Sequence, residues 1–283
     1  MSAPTGVTSP ASGTPAGPEP ERRPPPRFVR YLLPVAASWL IPVLTHLVHA
    51  DVLLLPALVV AVAAQLTIGR TLLDRLVPAL GLVGGLAIAA GLVFSAWPWG
   101  LNPVPLAGSS FTVLSVLAVR TYERTGRRPG LPRRLAGSDL VLLAASGYGA
   151  WVAAAPSLRG TPTAGLGYTT LTGDRMRQFT LFDAIHRSGG YPFLNWTSAQ
   201  SVADPKVGRV YPSGMHYLYA LVDVFVRSDT APGNPVAELD RYRWYVALGF
   251  GFLVLAVTWA ARWVLGAGRP CWQRALVTAA VGA

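Results

Sequence analysis

Residues Leu76–Trp97 read LVPALGLVGGLAIAAGLVFSAW, 22 residues without a charge. At about 1.5 Å per residue, a helix of that length crosses a hydrocarbon core of about 30 Å. A helix on a soluble domain would carry a polar stripe, and this run has none. Gly81, Gly84, Gly85 and Gly91 place small residues at helical spacing, which suits close contact between helices in a bilayer.

Working outward, comparable apolar runs cover Tyr31–Ala50, Val52–Gly69, Val104–Val119, Asp139–Ala155 and Trp244–Leu265. Pro34, Pro42, Pro56 and Pro78 lie in or beside these runs, where neighbouring helices can satisfy the freed carbonyls. The pattern predicts an all-α, multi-pass transmembrane helical bundle. Composition agrees: 52% of the 283 residues are hydrophobic and 13% charged, whereas ordinary soluble domains carry about 25% charged residues. Cys271 is the sole cysteine, which excludes an internal disulfide and a cysteine-based metal cluster.

Twenty-four basic residues against 13 acidic ones give +11, and only Lys206 among the 24 is lysine. So strong a preference for Arg, beside abundant Ala, Gly and Pro, reflects coding bias more than guanidinium chemistry. The arginines fall between apolar runs and act as topology signals, so nucleic acid is not an expected partner and membrane lipids are. Arg22, Arg23, Arg27 and Arg30 precede the first run, Arg70 and Arg75 follow the second, and Arg120, Arg124, Arg127, Arg128, Arg133 and Arg134 follow the fourth. The connections around Asp51 and Pro98–Pro103 carry no Lys or Arg. The positive-inside rule then predicts a plasma-membrane protein with a cytoplasmic N-terminus, and Trp97, Trp99 and Trp151 fall in the outer aromatic belt.

Four regions follow. Residues 1–27, with eight prolines, read as a disordered cytoplasmic tail. Residues 28–155 form a five-helix transmembrane region, and 156–210 an extracytoplasmic loop. Residues 211–283 add further membrane helices, with Ala275–Ala283 reading as the start of one more span in a longer protein. Within this last region Tyr211–Val226 is short for a crossing and contains Asp223. Charge favours a re-entrant or interfacial segment there, because a full crossing leaves Arg269 and Arg274 outside.

The outer loop carries TGDRMRQFTLFDAIHRSGGYPF at 172–193. Phe179, Phe182 and Ile185 give it helical periodicity, and Gly189–Gly190 end it, predicting a short amphipathic helix on the membrane surface. Asp174, Gln178, Leu181 and Ile185 share one face, while Asp183 and His186 fall opposite and read as a solvated face. Asp174 reaches His216 or Asp204 only through tertiary folding, and its plainest role is to cap its helix. His46, His49 and Asp51, at the outer end of the first run, form a candidate metal or proton site without a clear third ligand. The Asn195-Trp196-Thr197 sequon reads as incidental, and no Walker, Rossmann, zinc-protease or serine-hydrolase motif is found.

Three features recur together: an outer loop opening with Gly173-Asp174, a short helix ending in Gly190-Tyr191-Pro192, and a Tyr-Pro-x-Gly-x-His element from Tyr211 to His216. Over about residues 165–265 this arrangement resembles the C-type glycosyltransferase (GT-C) superfamily, in particular actinobacterial membrane proteins of that type. The resemblance implies transfer of a sugar from a polyprenyl-phosphate donor to a cell-envelope acceptor on the outer face, and favours a full crossing for Tyr211–Val226. It assigns Asp174 as general base or metal-associated carboxylate, and Arg175, Arg177 and Arg209 as phosphate partners. It adds Gln178, Tyr211 and His216 as substrate-binding residues, His216 as a phosphate or metal contact. A divalent metal is left open, with no ligand set defined. Gln178 stands where such proteins often have His, and Asp51 occupies the first-loop position of their usual aspartate. The alternative is a non-catalytic polytopic protein, transporter-like or an assembly subunit, with the outer helix as a docking element.

Overall fold

The computed structural model describes residues 27–158, 167 and 173–265. The Pro-rich tail, the first part of the loop after residue 158, and the terminal apolar run lie outside them. The described elements are α1 (Arg27–Leu47), a 3-10 turn (Asp51–Leu53), α2 (Leu54–Gln65), α3 (Leu73–Ser95), α4 (Pro103–Thr125) and α5 (Gly137–Leu158). After the loop come α6 (Gly173–Ser188), the single turns α7 (Trp196–Ala199) and α8 (Pro205–Gly208), α9 (Gly214–Arg227) and α10 (Pro235–Leu265). No strand occurs among the described residues. Five helices, α1, α3, α4, α5 and α10, are long and apolar enough to cross a membrane. Leu33, Leu86, Val93, Leu248 and Val264 stand exposed on them, as side chains facing lipid must. The chain is an all-α, multi-pass membrane bundle.

The run Val52–Gly69 is helical only over the 12 residues of α2, about 18 Å. Leu66 is extended, and the polar turn that follows explains the break. Asp74 Oδ2 accepts from the Arg70 and Thr71 amides, both at 3.2 Å, while Thr71 Oγ1 accepts from the Asp74 amide at 3.2 Å. This reciprocal arrangement satisfies the Asp74 amide in the first turn of α3 and the two amides of the turn before it. Gly69 sits at φ +73°, and a Cβ there would strike the Asp74 side chain, so the turn requires glycine.

Contacts sort the helix termini into two ends. At one, Tyr31 donates to Glu123 at 2.8 Å, the Gly130 amide to Ala64 O at 3.0 Å and the Leu72 amide to Arg134 O at 2.9 Å. Arg262, near the end of α10, joins Asp74 of α3 and Asp139 of α5 in a buried network. The indole N–H groups of Trp259 and Trp263 also donate to Asp74, each at 3.3 Å. This is the arginine-rich end. At the other, the Tyr191 amide donates to Ser95 Oγ at 2.7 Å, the Asp51 amide to Ser228 Oγ at 3.2 Å, and Gly100 packs on Gly189.

α6 and α9 lodge at this second end and build the main core there with Leu101, Phe182, Ile185, Tyr191, Tyr217, Val224 and Tyr242. α9 is 14 residues long, about 21 Å. It meets Gly84 and Ile88 of α3 at its start, and Ser228 just beyond its end meets Asp51. It therefore stays in that half of the bundle, while α10 runs from there to the arginine-rich end. α10 also begins nine residues earlier than the apolar run suggests, because Pro235–Arg243 is a polar helical extension that packs on α9.

Candidate functional site

α6 forms because its apolar residues recur at three- and four-residue spacing, and it stops where Gly189 turns to φ +67°. It does not float on the membrane surface. Leu181, Phe182, Ala184 and Ile185 are buried, with the Phe182 ring 5.1 Å from Tyr242 and 6.4 Å from Tyr245 of α10. His186, expected on a solvated face, is buried as well. The reason is that α9 and α10 cover both flanks of α6, so its Asp183–His186 side is not free to face water throughout.

Two polar groups result. The first surrounds Tyr242. Its hydroxyl lies 3.4 Å from Nδ1 of His216, and their rings stack at 6.2 Å. Burial pushes the His216 imidazole down to about 4, so it is neutral at pH 7. With Tyr242 as donor, the ring proton sits on Nε2. The Phe179 ring of α6 also packs on Tyr242, with centroids 5.7 Å apart. Asp174 is exposed in the first turn of α6 and accepts from Gln178 Nε2 at 3.3 Å. Tyr211, also exposed, places its ring 6.3 Å from His216, and Tyr219 meets His216 edge-on.

The structure thus brings Tyr211 and His216 together beside Tyr242, and pairs Asp174 with Gln178 at the start of α6, where Arg175 is half-buried and Arg177 exposed. Arg209 is placed elsewhere: its guanidinium lies over the Trp196 ring at 4.9 Å, a cation–π contact on the small α7–α8 lobe. Asp204 is spent capping α8, accepting from the Lys206 amide at 2.8 Å. His46 Nδ1 meets the buried Asp51 at 2.7 Å, but His49 is turned outward at φ +53°. Among the described residues no three His, Cys, Asp or Glu side chains gather as metal ligands.

The second group centres on Asp223 of α9, which is fully buried. It receives Arg227 at 2.9 Å, Arg241 of α10, and the Tyr245 hydroxyl at 2.9 Å. His186 Nε2 lies 3.4 Å away without hydrogen-bond alignment. Burial holds the His186 imidazole down at about 4; the Asp223 carboxylate opposes this while Arg227 and Arg241 reinforce it. Sequence reasoning missed this group. The one visible signal was a lone aspartate in an apolar run, which in a membrane protein asks for a partner. Nothing local marks Tyr242, since tyrosine is common at helix ends near a membrane interface.

Fold and site together define a polytopic helical membrane protein with a polar, aromatic-lined group of side chains at the end opposite the Arg262 network. No protein-family model, curated protein or solved structure matches the chain.

Proposed function

We propose that the protein is a membrane-embedded glycosyltransferase of GT-C type, using a polyprenyl-phosphate sugar donor and a cell-envelope acceptor. The observation that carries the reading is the exposed Asp174–Gln178 pair on α6, a helix whose Phe179 ring packs on Tyr242 of α10, the partner of His216 of α9. The positive-inside rule puts the arginine-rich end in the cytoplasm and this group on the outer face of the plasma membrane, where a lipid-linked donor presents its sugar.

In this reading the exposed Asp174 carboxylate takes the proton from an acceptor hydroxyl as its oxygen bonds to the anomeric carbon. The bond from that carbon to the phosphate oxygen breaks, and the lipid phosphate leaves with the electron pair. Arg175 and Arg177, on the same turn, supply positive charge to the departing phosphate. Gln178 orients Asp174 through their hydrogen bond. The apolar face of α6 is already covered by α9 and α10, which disfavours its use as a docking element.

The test is sugar transfer from a lipid-linked donor in membranes containing the full chain. Asp174→Asn removes the base at nearly constant shape and lowers transfer by about 100-fold or more, while Asp174→Glu retains part of it. Undiminished transfer by Asp174→Asn at normal protein levels removes Asp174 from the chemistry.

A further inference from the structure

Between the turn after α3 and the end of α6 lies an open cleft of about 510 Å³, within the roughly 300–1,000 Å³ usual for ligand pockets. Its lining includes Trp97 and Trp99, both exposed, with ring centroids 5.4 Å apart and planes inclined at 59°. Asn195 also lines it. Both of its amide hydrogens are committed, to Ser95 O at 2.8 Å and Ser188 O at 3.1 Å, which fixes the side chain and leaves Oδ1 as an acceptor. The exposed residues Ser198 and Thr230 add hydroxyls, and Ser95, Ser188 and the neutral imidazole of His186 also line it. The wall is rigid where Gly100, at φ +50°, approaches Gly189 so closely that a Cβ would lie 2.9 Å from Gly189 O.

These features select a ligand by chemistry. Ser188 and Gly189 are the C-terminal end of α6, which carries partial negative charge and repels anions. Arg187 is the one cation in the lining, and its Nε is held by Asp183 at 3.0 Å. A purely apolar ligand leaves Asn195 and the hydroxyls unpaired. Flat indole faces beside acceptors and hydroxyls suit a neutral ring with C–H faces and many O–H donors.

We infer that this cleft binds a neutral saccharide, with Trp97 and Trp99 against the ring faces and Asn195 Oδ1 accepting from its hydroxyls. The cleft is separate from the Asp174 group: twelve residues of α6, about 18 Å, divide Asp174 from His186. Binding here does not require transfer; only its use as an acceptor site rests on the transferase reading.

The experiment is titration of the full chain in lipid nanodiscs with neutral hexose and pentose oligosaccharides, and with inorganic phosphate as the anionic arm. Saturable saccharide binding is expected, weakened about tenfold by Trp97→Ala or Trp99→Ala and unchanged in Asp174→Asn. Ser198→Arg, a bulky charge at an exposed position, blocks the cleft without removing a packed group and should weaken binding as well. The inference is overturned if no saccharide saturates, if phosphate competes as strongly, or if the tryptophan and Ser198 variants bind like the parent. Loss of transfer in Asp174→Asn with intact saccharide binding supports both readings separately. Full transfer with intact binding removes Asp174 from the chemistry and leaves the cleft standing.

Discussion

At the arginine-rich end one guanidinium, Arg262, serves two carboxylates, Asp74 and Asp139; at the opposite end one carboxylate, Asp223, serves two guanidiniums, Arg227 and Arg241. The first group closes completely. Besides Arg262, its carboxylates take the amides of Arg70, Thr71 and Ala136 and two indole N–H groups, so the excess negative charge is spread over fixed dipoles. The second group leaves Nη2 of Arg227 and both ring nitrogens of His186 buried without hydrogen bonds. Buried polar groups are nearly always satisfied when their task is to hold a fold together. The closed network thus reads as a clamp on α3, α5 and α10, and the open one as a looser junction of α6, α9 and α10.

The comparison can be broken by removing each centre. Arg262→Leu leaves two buried carboxylates with no cation and gives the largest expected effect, a loss of about 3–5 kcal/mol, read as a lower thermal midpoint or absence of monodisperse protein in detergent. Asp223→Asn should cost less, about 2–3 kcal/mol. Arg227 and Arg241 are partly exposed to solvent, and the Asn oxygen still accepts from one of them. An equal or larger loss for Asp223→Asn contradicts the division into clamp and looser junction.

Acid separates the two ends more gently. His186 and His216 stay neutral in the folded protein down to about 4, whereas in the unfolded chain they take a proton below about 6.5. The unfolded state therefore binds protons first, so their contribution is intact above pH 6.5 and falls as pH drops from 6.5 toward 4. Hydrogen exchange should increase in α6 and α9 over that range before it increases at the starts of α3 and α5, whose network contains no histidine. Replacing both histidines with Phe should flatten the difference, and uniform loss at both ends contradicts the assignment.

The legibility of the chain follows the same division. Leu76–Trp97 and the arginine loops were readable because bilayer thickness and charge cost act on each segment separately. α2 was overestimated because the Thr71–Asp74 turn, a short polar device, overrides apolarity just before α3. Asp174 and Gln178 were legible as neighbours, being four residues apart on one helix. His186 was misplaced because a helical wheel shows which residues share a face and is silent on which face the rest of the protein covers.

By itself the sequence determined that this is an all-α membrane bundle, since the requirement to satisfy every backbone group in lipid leaves a long apolar run few other choices. Only the tertiary structure decided that α9 stays within one half of the bundle, that His216 of α9 meets Tyr242 of α10, and that Asp223 gathers Arg227, Arg241 and Tyr245. Those contacts join residues from separate helices, and their geometry is set by packing between elements, which no local pattern encodes.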